Sequence, residues 1–282
     1  MLKFGKFEIC VEELGTFRLD GGAMFGSVPK NIWAKGAIPD EHNCIALTTR
    51  SLIIRCDSRV FLIDVGLGDK WSDKEKEIFA IKNKPQSELC FSSSEITDIV
   101  LTHLHFDHAG GISRKVDATG SFELCFPHAR VWLQKDNWKN AQDPNLKERA
   151  SYLKANVEPL KQAQLELTTG SQEIFPDLWV HQVNGHTLGQ QWIEVRSGKK
   201  SLVFPTDLIP TAHHLPVPFH MGYDICAKTI LDEKAHFLKK AVQLNWIVVF
   251  EHDPDTAACR VTTDERGRFT RGEVIDLSQS TI

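Results

Sequence analysis

Apolar positions in this 282-residue chain fall mostly in short β-type runs, with stretches of helical spacing set between them. Residues 7–11 and 16–19 read as two early strands, stopped by Gly21-Gly22. Residues 45–56 and 60–65 are rich in β-branched side chains, and Asp57-Ser58 between them makes a hairpin. The second run ends Ile63-Asp64-Val65-Gly66, where glycine lets the chain turn sharply off the strand. Helical spacing predicts a helix over 72–81, and Ile99-Val100-Leu101-Thr102 reads as a buried strand.

The second half continues in the same style. A strand is predicted over 129–133, and helices over 135–141 and 146–164. Strands follow at 178–183, 191–195 and 201–204, the last two joined through Arg196-Ser197-Gly198. Residues 229–243 form an amphipathic helix with Ile230, Ala235, Leu238, Ala241 and Val242 broadly on one side. A buried strand over 245–250 and a hairpin over 259–269 close the pattern. No repeat or flexible linker interrupts it, so residues 1–282 are expected to form one α/β domain of packed sheets with helices outside.

Candidate chemistry concentrates where predicted strands end. The run His103-Leu104-His105-Phe106-Asp107-His108 leaves the strand at 99–102 and turns through Ala109-Gly110-Gly111. Alternate residues at a strand end point the same way, so His103 and His105 converge, and Asp107 and His108 reach a neighbouring point. Imidazole nitrogen and carboxylate oxygen bind Zn and similar divalent ions at about 2.0–2.2 Å. The bland reading is a hydrogen-bonding or pH-sensitive histidine loop. His186, Asp207 and His252 each lie just beyond another predicted strand. Any one of them alone is more simply structural, but together they complete seven ligand-type residues.

That set resembles the metallo-β-lactamase superfamily signature: His-x-His-x-Asp-His, then a distant His, Asp and His. Asp64 matches the family's early structural aspartate, so the resemblance spans roughly residues 45–254. It implies a four-layered αββα sandwich and two divalent metal ions, Zn by preference, with Fe, Mn or Co also suited. It further implies that His103, His105 and His186 hold one ion, Asp107, His108 and His252 the other, and that Asp207 bridges them. A hydroxide between the ions would be the nucleophile, with Asp107 the catalytic proton acceptor.

Other features choose among branches of the family. An appended helical domain is disfavoured, no large nuclease insertion is visible, and a flavodoxin domain is not expected at this length. The match from His103 to Gly111, with Phe250-Glu251-His252-Asp253, is closest in style to the N-acyl homoserine lactonase and organophosphate-hydrolase branch. Those lactonases place a substrate-contacting tyrosine three residues after the bridging aspartate, whereas Pro210 stands here. His214 and Tyr223 are the nearby polar candidates to take that catalytic place, with a structural role as the alternative for each. Two apolar segments, 21–39 and 208–223, read as walls of a substrate funnel (with Phe219 as a probe) or as core cover or a homodimer interface.

The expected activity is therefore hydrolysis of a small apolar ester or lactone. Phosphotriester, phosphodiester or thioester cleavage on the same metals is the enzymatic alternative, and a non-catalytic metal- or ligand-binding protein is the alternative of another class. Lys plus Arg number 33 against 37 Asp plus Glu, a net charge of −4 that argues against a nucleic-acid partner. No apolar run suits a membrane span, and no secretory signal is apparent after Lys3 and Lys6. Seven dispersed cysteines without a Cys-x-x-Cys pair read as reduced thiols, which sets the expected location as cytoplasmic.

Overall fold

The computed structural model describes residues 1–116 and 120–278. Two sheets account for most of the strands. The first runs Leu2–Phe4, Phe7–Asp20, Cys44–Cys56, Arg59–Ile63, Asp98–Val100, Arg130–Gln134, Gln164–Thr168, with Lys82–Asn83 pairing beside Phe7–Asp20. The second runs Gln172–Phe175, Leu178–Val183, Gln190–Ser197, Lys200–Phe204, Ile247–Val249, Ala258–Thr263, Phe269–Val274.

Period-two alternation explains why these sheets stack and take helices outside. Leu52, Ile54, Phe61, Ile63 and Val100 point inward and meet Val180, Ile193, Val195, Leu202, Phe204 and Val249 of the other sheet. Their neighbours Ile53, Leu62, Ile99 and Leu101 point outward, against Leu160, Val157 and Tyr152. On the far side Val203, Val248 and Phe250 pack beneath Ile230, Phe237, Leu238 and Ala241 of the helix Ala227–Gln243. Three apolar layers between two sheets and two helical covers make the expected αββα sandwich. Full burial of each such side chain contributes roughly 1.5–3 kcal/mol. No helix among the described residues is long and apolar enough to cross a membrane.

Several local expectations change. The two early strands are one, Phe7–Asp20, which absorbs Glu13–Gly15 as a register shift against Cys44–Cys56. Gly21 does not break the chain; it opens the helix Gly21–Phe25, capped by Asp20, which accepts from the Ala23 N–H at 2.8 Å. Glycine is needed there because a Cβ would lie 2.4 Å from the Trp33 ring. The long helix expected over 146–164 is replaced by the short helix Lys154–Val157, a 3₁₀ turn Pro159–Gln162 and the strand Gln164–Thr168. Pro159 supplies no amide hydrogen to continue the helix.

Glu194, on Gln190–Ser197, is buried and accepts from His181 at 3.0 Å, Arg196 at 2.8 Å and Ser201 at 2.8 Å. Burial works to raise its pKa, but these three partners bring it down to about 2. Because the folded value lies below the unfolded one, the stabilisation is complete above roughly pH 4.5 and disappears as pH falls toward 2. Glu194→Gln is expected to cost about 1–3 kcal/mol at pH 7, read by chemical denaturation. The gap from the parent protein should close between pH 4.5 and 2; a gap independent of pH would refute the ionic origin.

Candidate metal centre

Strand ends from both sheets deliver the seven candidate ligands to one edge of the sandwich. His103 and His105 follow Asp98–Val100, and the single helical turn Phe106–Ala109 carries Asp107 and His108. From the second sheet come His186 after Leu178–Val183, Asp207 in the 3₁₀ turn Thr206–Leu208, and His252 after Ile247–Val249. The sheets are tied here: the Gln191 N–H donates to the Thr102 carbonyl at 2.9 Å, and its side chain to the Leu101 carbonyl at 2.8 Å. Thr206 sits at φ 50°, in the left-handed region. Gln190, with its amide oxygen turned inward, accepts from Thr206 Oγ1 at 2.8 Å and from the Asp207 and Leu208 N–H groups at 3.0 Å. These bonds hold the turn that presents Asp207.

The seven side chains gather as two groups. One ligand atom each of His103, His105, His186 and Asp207 lie within 4.8 Å of one another, as do those of Asp107, His108 and His252. Asp207 faces both: Oδ2 is 3.1 Å from His186 Nε2, 3.5 Å from His108 Nε2 and 3.8 Å from His103 Nε2, while Oδ1 is 3.0 Å from His252 Nε2. His252 Nε2 is in turn 3.3 Å from His108 Nε2 and 3.8 Å from Asp107 Oδ2.

The outward nitrogens are held in place by other groups. Asp64, itself at φ 55°, accepts from the Thr102 N–H and hydroxyl and lies 3.0 Å from His108 Nδ1. Asp224 holds His186 Nδ1 at 2.8 Å, and the Thr48 carbonyl holds His252 Nδ1 at 2.8 Å. Such partners fix ring orientation and tautomer so that the free nitrogens converge. Glu251 is buried with Oε1 3.2 Å from His108 Nδ1.

Within the cluster, burial and neighbouring charges pull the side chains in opposite directions. Burial and neighbouring imidazoles, His108 foremost for His103 and His186 for His105, push both of these rings well below the usual histidine range. Burial also opposes charge on His186 and His252, yet Asp207 brings them up to about 10 and about 9. Asp207 stays far below the carboxylate range despite its burial, because His108, His186 and His252 surround it. Even so, His103 Nε2 is buried without a hydrogen-bond partner, and Asp207 Oδ1, though 3.0 Å from His252 Nε2, makes no well-directed hydrogen bond. Unpaired donor atoms pointing into a shared nitrogen–carboxylate nest fit a divalent ion.

A cavity of about 230 Å³ opens onto Asp107, Asp207, His105, His186 and His252. Met24, Leu47, Phe79, Phe106, Met221 and Tyr223 wall it. Both apolar segments contribute and are bonded together, the Gly222 N–H donating to the Ala23 carbonyl at 2.8 Å. Tyr223 lines the cavity, 38% exposed, and burial raises its phenol pKa to about 12, helped by Asp20 and Asp107.

His214 does not join the cluster. It is fully buried and stacked on Phe25 at 4.4 Å, with Nδ1 2.8 Å from Thr211 Oγ1 and Nε2 2.9 Å from the Met24 carbonyl. Burial brings it down to about 3, so it is neutral, with both nitrogens committed. Its place is behind the cavity wall. Phe219 likewise faces Phe25 edge-on at 6.3 Å and lines a separate hollow beside Trp33 and His213.

Three contributors were missed by the sequence reading. Asp224 anchors His186 and also accepts from the Met221 N–H at 2.8 Å. Phe79 lay inside an expected helix. Lys234, buried on the helix Ala227–Gln243, donates to the Pro216 carbonyl at 3.0 Å and to the Phe219 carbonyl, pinning the 208–223 wall.

Residues 46–252 match the family model of the metallo-β-lactamase superfamily. No curated protein sequence matches the chain. Among solved structures, a probable metal-dependent hydrolase from Staphylococcus aureus aligns with 26% identity over 98% of this chain and 100% of its own, at a TM-score of 0.86. AidC, a dizinc quorum-quenching lactonase in complex with its N-hexanoyl homoserine product, aligns at 20% identity over 98% and 97% of the two chains, TM-score 0.75. The hydrolase AbOPH aligns at 19% identity over 97% and 96%, TM-score 0.75. With family match, sandwich and ligand nest in agreement, the chain belongs to the metallo-β-lactamase superfamily and is a metal-dependent hydrolase.

Proposed function

We propose that this protein is a dinuclear hydrolase that opens uncharged esters or lactones bearing an apolar chain. The observation that carries the reading is the cavity: thioether, aromatic and aliphatic walls stand directly over Asp107 and Asp207, with no Lys or Arg among the lining residues. Burying a neutral carbonyl compound there has a low desolvation cost, whereas an anionic phosphodiester would find no counter-charge. The likeness to a dizinc lactonase holding an acyl homoserine product points the same way.

His103, His105 and His186 are assigned to one ion and Asp107, His108 and His252 to the other, with Asp207 shared. When bound, a pair of divalent ions supplies Lewis acidity and lowers the pKa of water enough to yield a nucleophile at neutral pH. Asp107, at the cavity floor, is placed to hold a proton at its carboxylate oxygen and return it to the departing alkoxide. The Tyr223 phenol, kept protonated, is placed to donate a hydrogen bond to the substrate carbonyl. Met24, Phe106 and Met221 exclude water and hold the chain of the substrate.

A series of acyl lactones of increasing length tests this. kcat/KM should rise about three- to fourfold per buried methylene until the cavity is filled. Phe106→Ala should flatten that dependence while leaving the shortest lactone within about threefold of the parent. A phosphotriester, also uncharged, is the second reading. Faster turnover of it than of any lactone would replace the first, and no hydrolysis of either class would reject both.

A further inference from the structure

A second cluster of reactive side chains lies on the edge of the first sheet. The outer edge of Phe7–Asp20 is paired at one end by Leu2–Phe4, with Leu2 opposite Ile9, and at the other by Lys82–Asn83, opposite Gly15 and Thr16. Between them residues 84–90 lie along the edge as a strap. The Lys84 N–H donates to the Leu14 carbonyl at 2.8 Å. Glu12, buried, accepts from Lys84 Nζ and from the Cys90 N–H at 3.0 Å, and Arg55 donates to the Cys90 carbonyl at 3.1 Å. These bonds bring Cys10 Sγ, Cys90 Sγ and a Glu12 carboxylate oxygen within 4.8 Å of one another. Both thiols are free; Cys90 is exposed and Cys10 partly so.

We propose that Cys10 and Cys90 form a disulfide on exposure to a hydroperoxide, fastening the strap to the sheet edge. A metal is the weaker occupant, because both Glu12 oxygens already serve Lys84 and the Cys90 amide, leaving only two thiols as ligands. The Cys10 sulfur attacks the peroxide; the O–O bond breaks, hydroxide leaves and takes up a proton, and Cys10 becomes a sulfenic acid, oxidised by two electrons. Cys90 Sγ then attacks Cys10 Sγ, the S–O bond breaks, and water leaves with the Cys90 proton. The sum is two thiols and one peroxide to one disulfide and two waters. A hydrogen bond from Cys90 draws Cys10 down to about 7 against burial and Glu12, and the same contact pushes Cys90 up. In this scheme Cys10, fixed on the strand, is the attacking thiolate, and Cys90, on the exposed strap, is the resolving thiol. Bond formation requires the sulfurs, now within 4.8 Å, to close to about 2.05 Å by side-chain rotation at the exposed end of the strap.

The test is brief treatment of the whole protein with a few equivalents of hydrogen peroxide, followed by intact mass and peptide mapping. The expected product has lost two hydrogens, regains them with dithiothreitol, and joins the peptides containing Cys10 and Cys90. Proteolytic cleavage within residues 84–90 should slow about tenfold. In Cys90→Ser, a conservative change at an exposed position, Cys10 should instead accumulate as sulfenic acid trapped by dimedone. The proposal is overturned if both residues remain open to alkylation after oxidation. It is equally overturned if the bridge joins other cysteines, or if Cys90 oxidises while Cys10 does not.

Discussion

Asp207→Asn is expected to lower kcat/KM about a thousandfold or more and to reduce bound metal from two ions per chain to one or fewer. Asparagine keeps the size and the turn, so the change isolates charge. Asp207 stands between the two groups, with Oδ2 3.1 Å from His186 Nε2 and 3.5 Å from His108 Nε2, and Oδ1 3.0 Å from His252 Nε2. On the proposed assignment, removing its charge leaves five imidazoles and Asp107, too little anion to offset two divalent ions. Elemental analysis and lactone turnover on the same sample read both effects. Activity within tenfold of the parent, with two ions retained, would refute the shared role.

Asp224→Ala is expected to weaken metal affinity and activity by about 10- to 100-fold, although Asp224 is no ligand. Its carboxylate fixes His186 Nδ1 at 2.8 Å and lies 3.2 Å from His220 Nδ1. It also accepts from the Met221 N–H, so the substitution loosens a ligand and a cavity wall together. Competition with a chelator measures the affinity, and excess Zn should restore most of kcat while leaving KM raised. Full recovery of both would confine Asp224 to the metal; no change in either would remove it from the site.

What was legible in the sequence was what local pattern encodes. Continuous apolar runs at 52–54, 61–63 and 99–101 announced strands buried on both faces, and the His-x-His-x-Asp-His run announced its own geometry at a strand end. The helix expected over 146–164 failed because apolar spacing there serves a turn, a 3₁₀ segment and an edge strand, with Pro159 as the ignored warning. His214 shared composition and proximity with real site residues, but its direction depends on stacking against Phe25, a contact 189 positions away in sequence. Asp224 had no local signal at all. Lys234 did: it stands four residues after Ile230 and four before Leu238, on the stripe that must be buried. A lysine there had to find acceptors, and it found the carbonyls of the wall loop.

Zinc titration of the metal-free protein, with ring opening of a medium-chain acyl lactone followed at each addition, tests the central claim most directly. The account predicts activity that climbs with added zinc and levels at two equivalents per chain. A plateau at one equivalent would contradict the paired site, and two equivalents bound without ring opening would contradict the substrate.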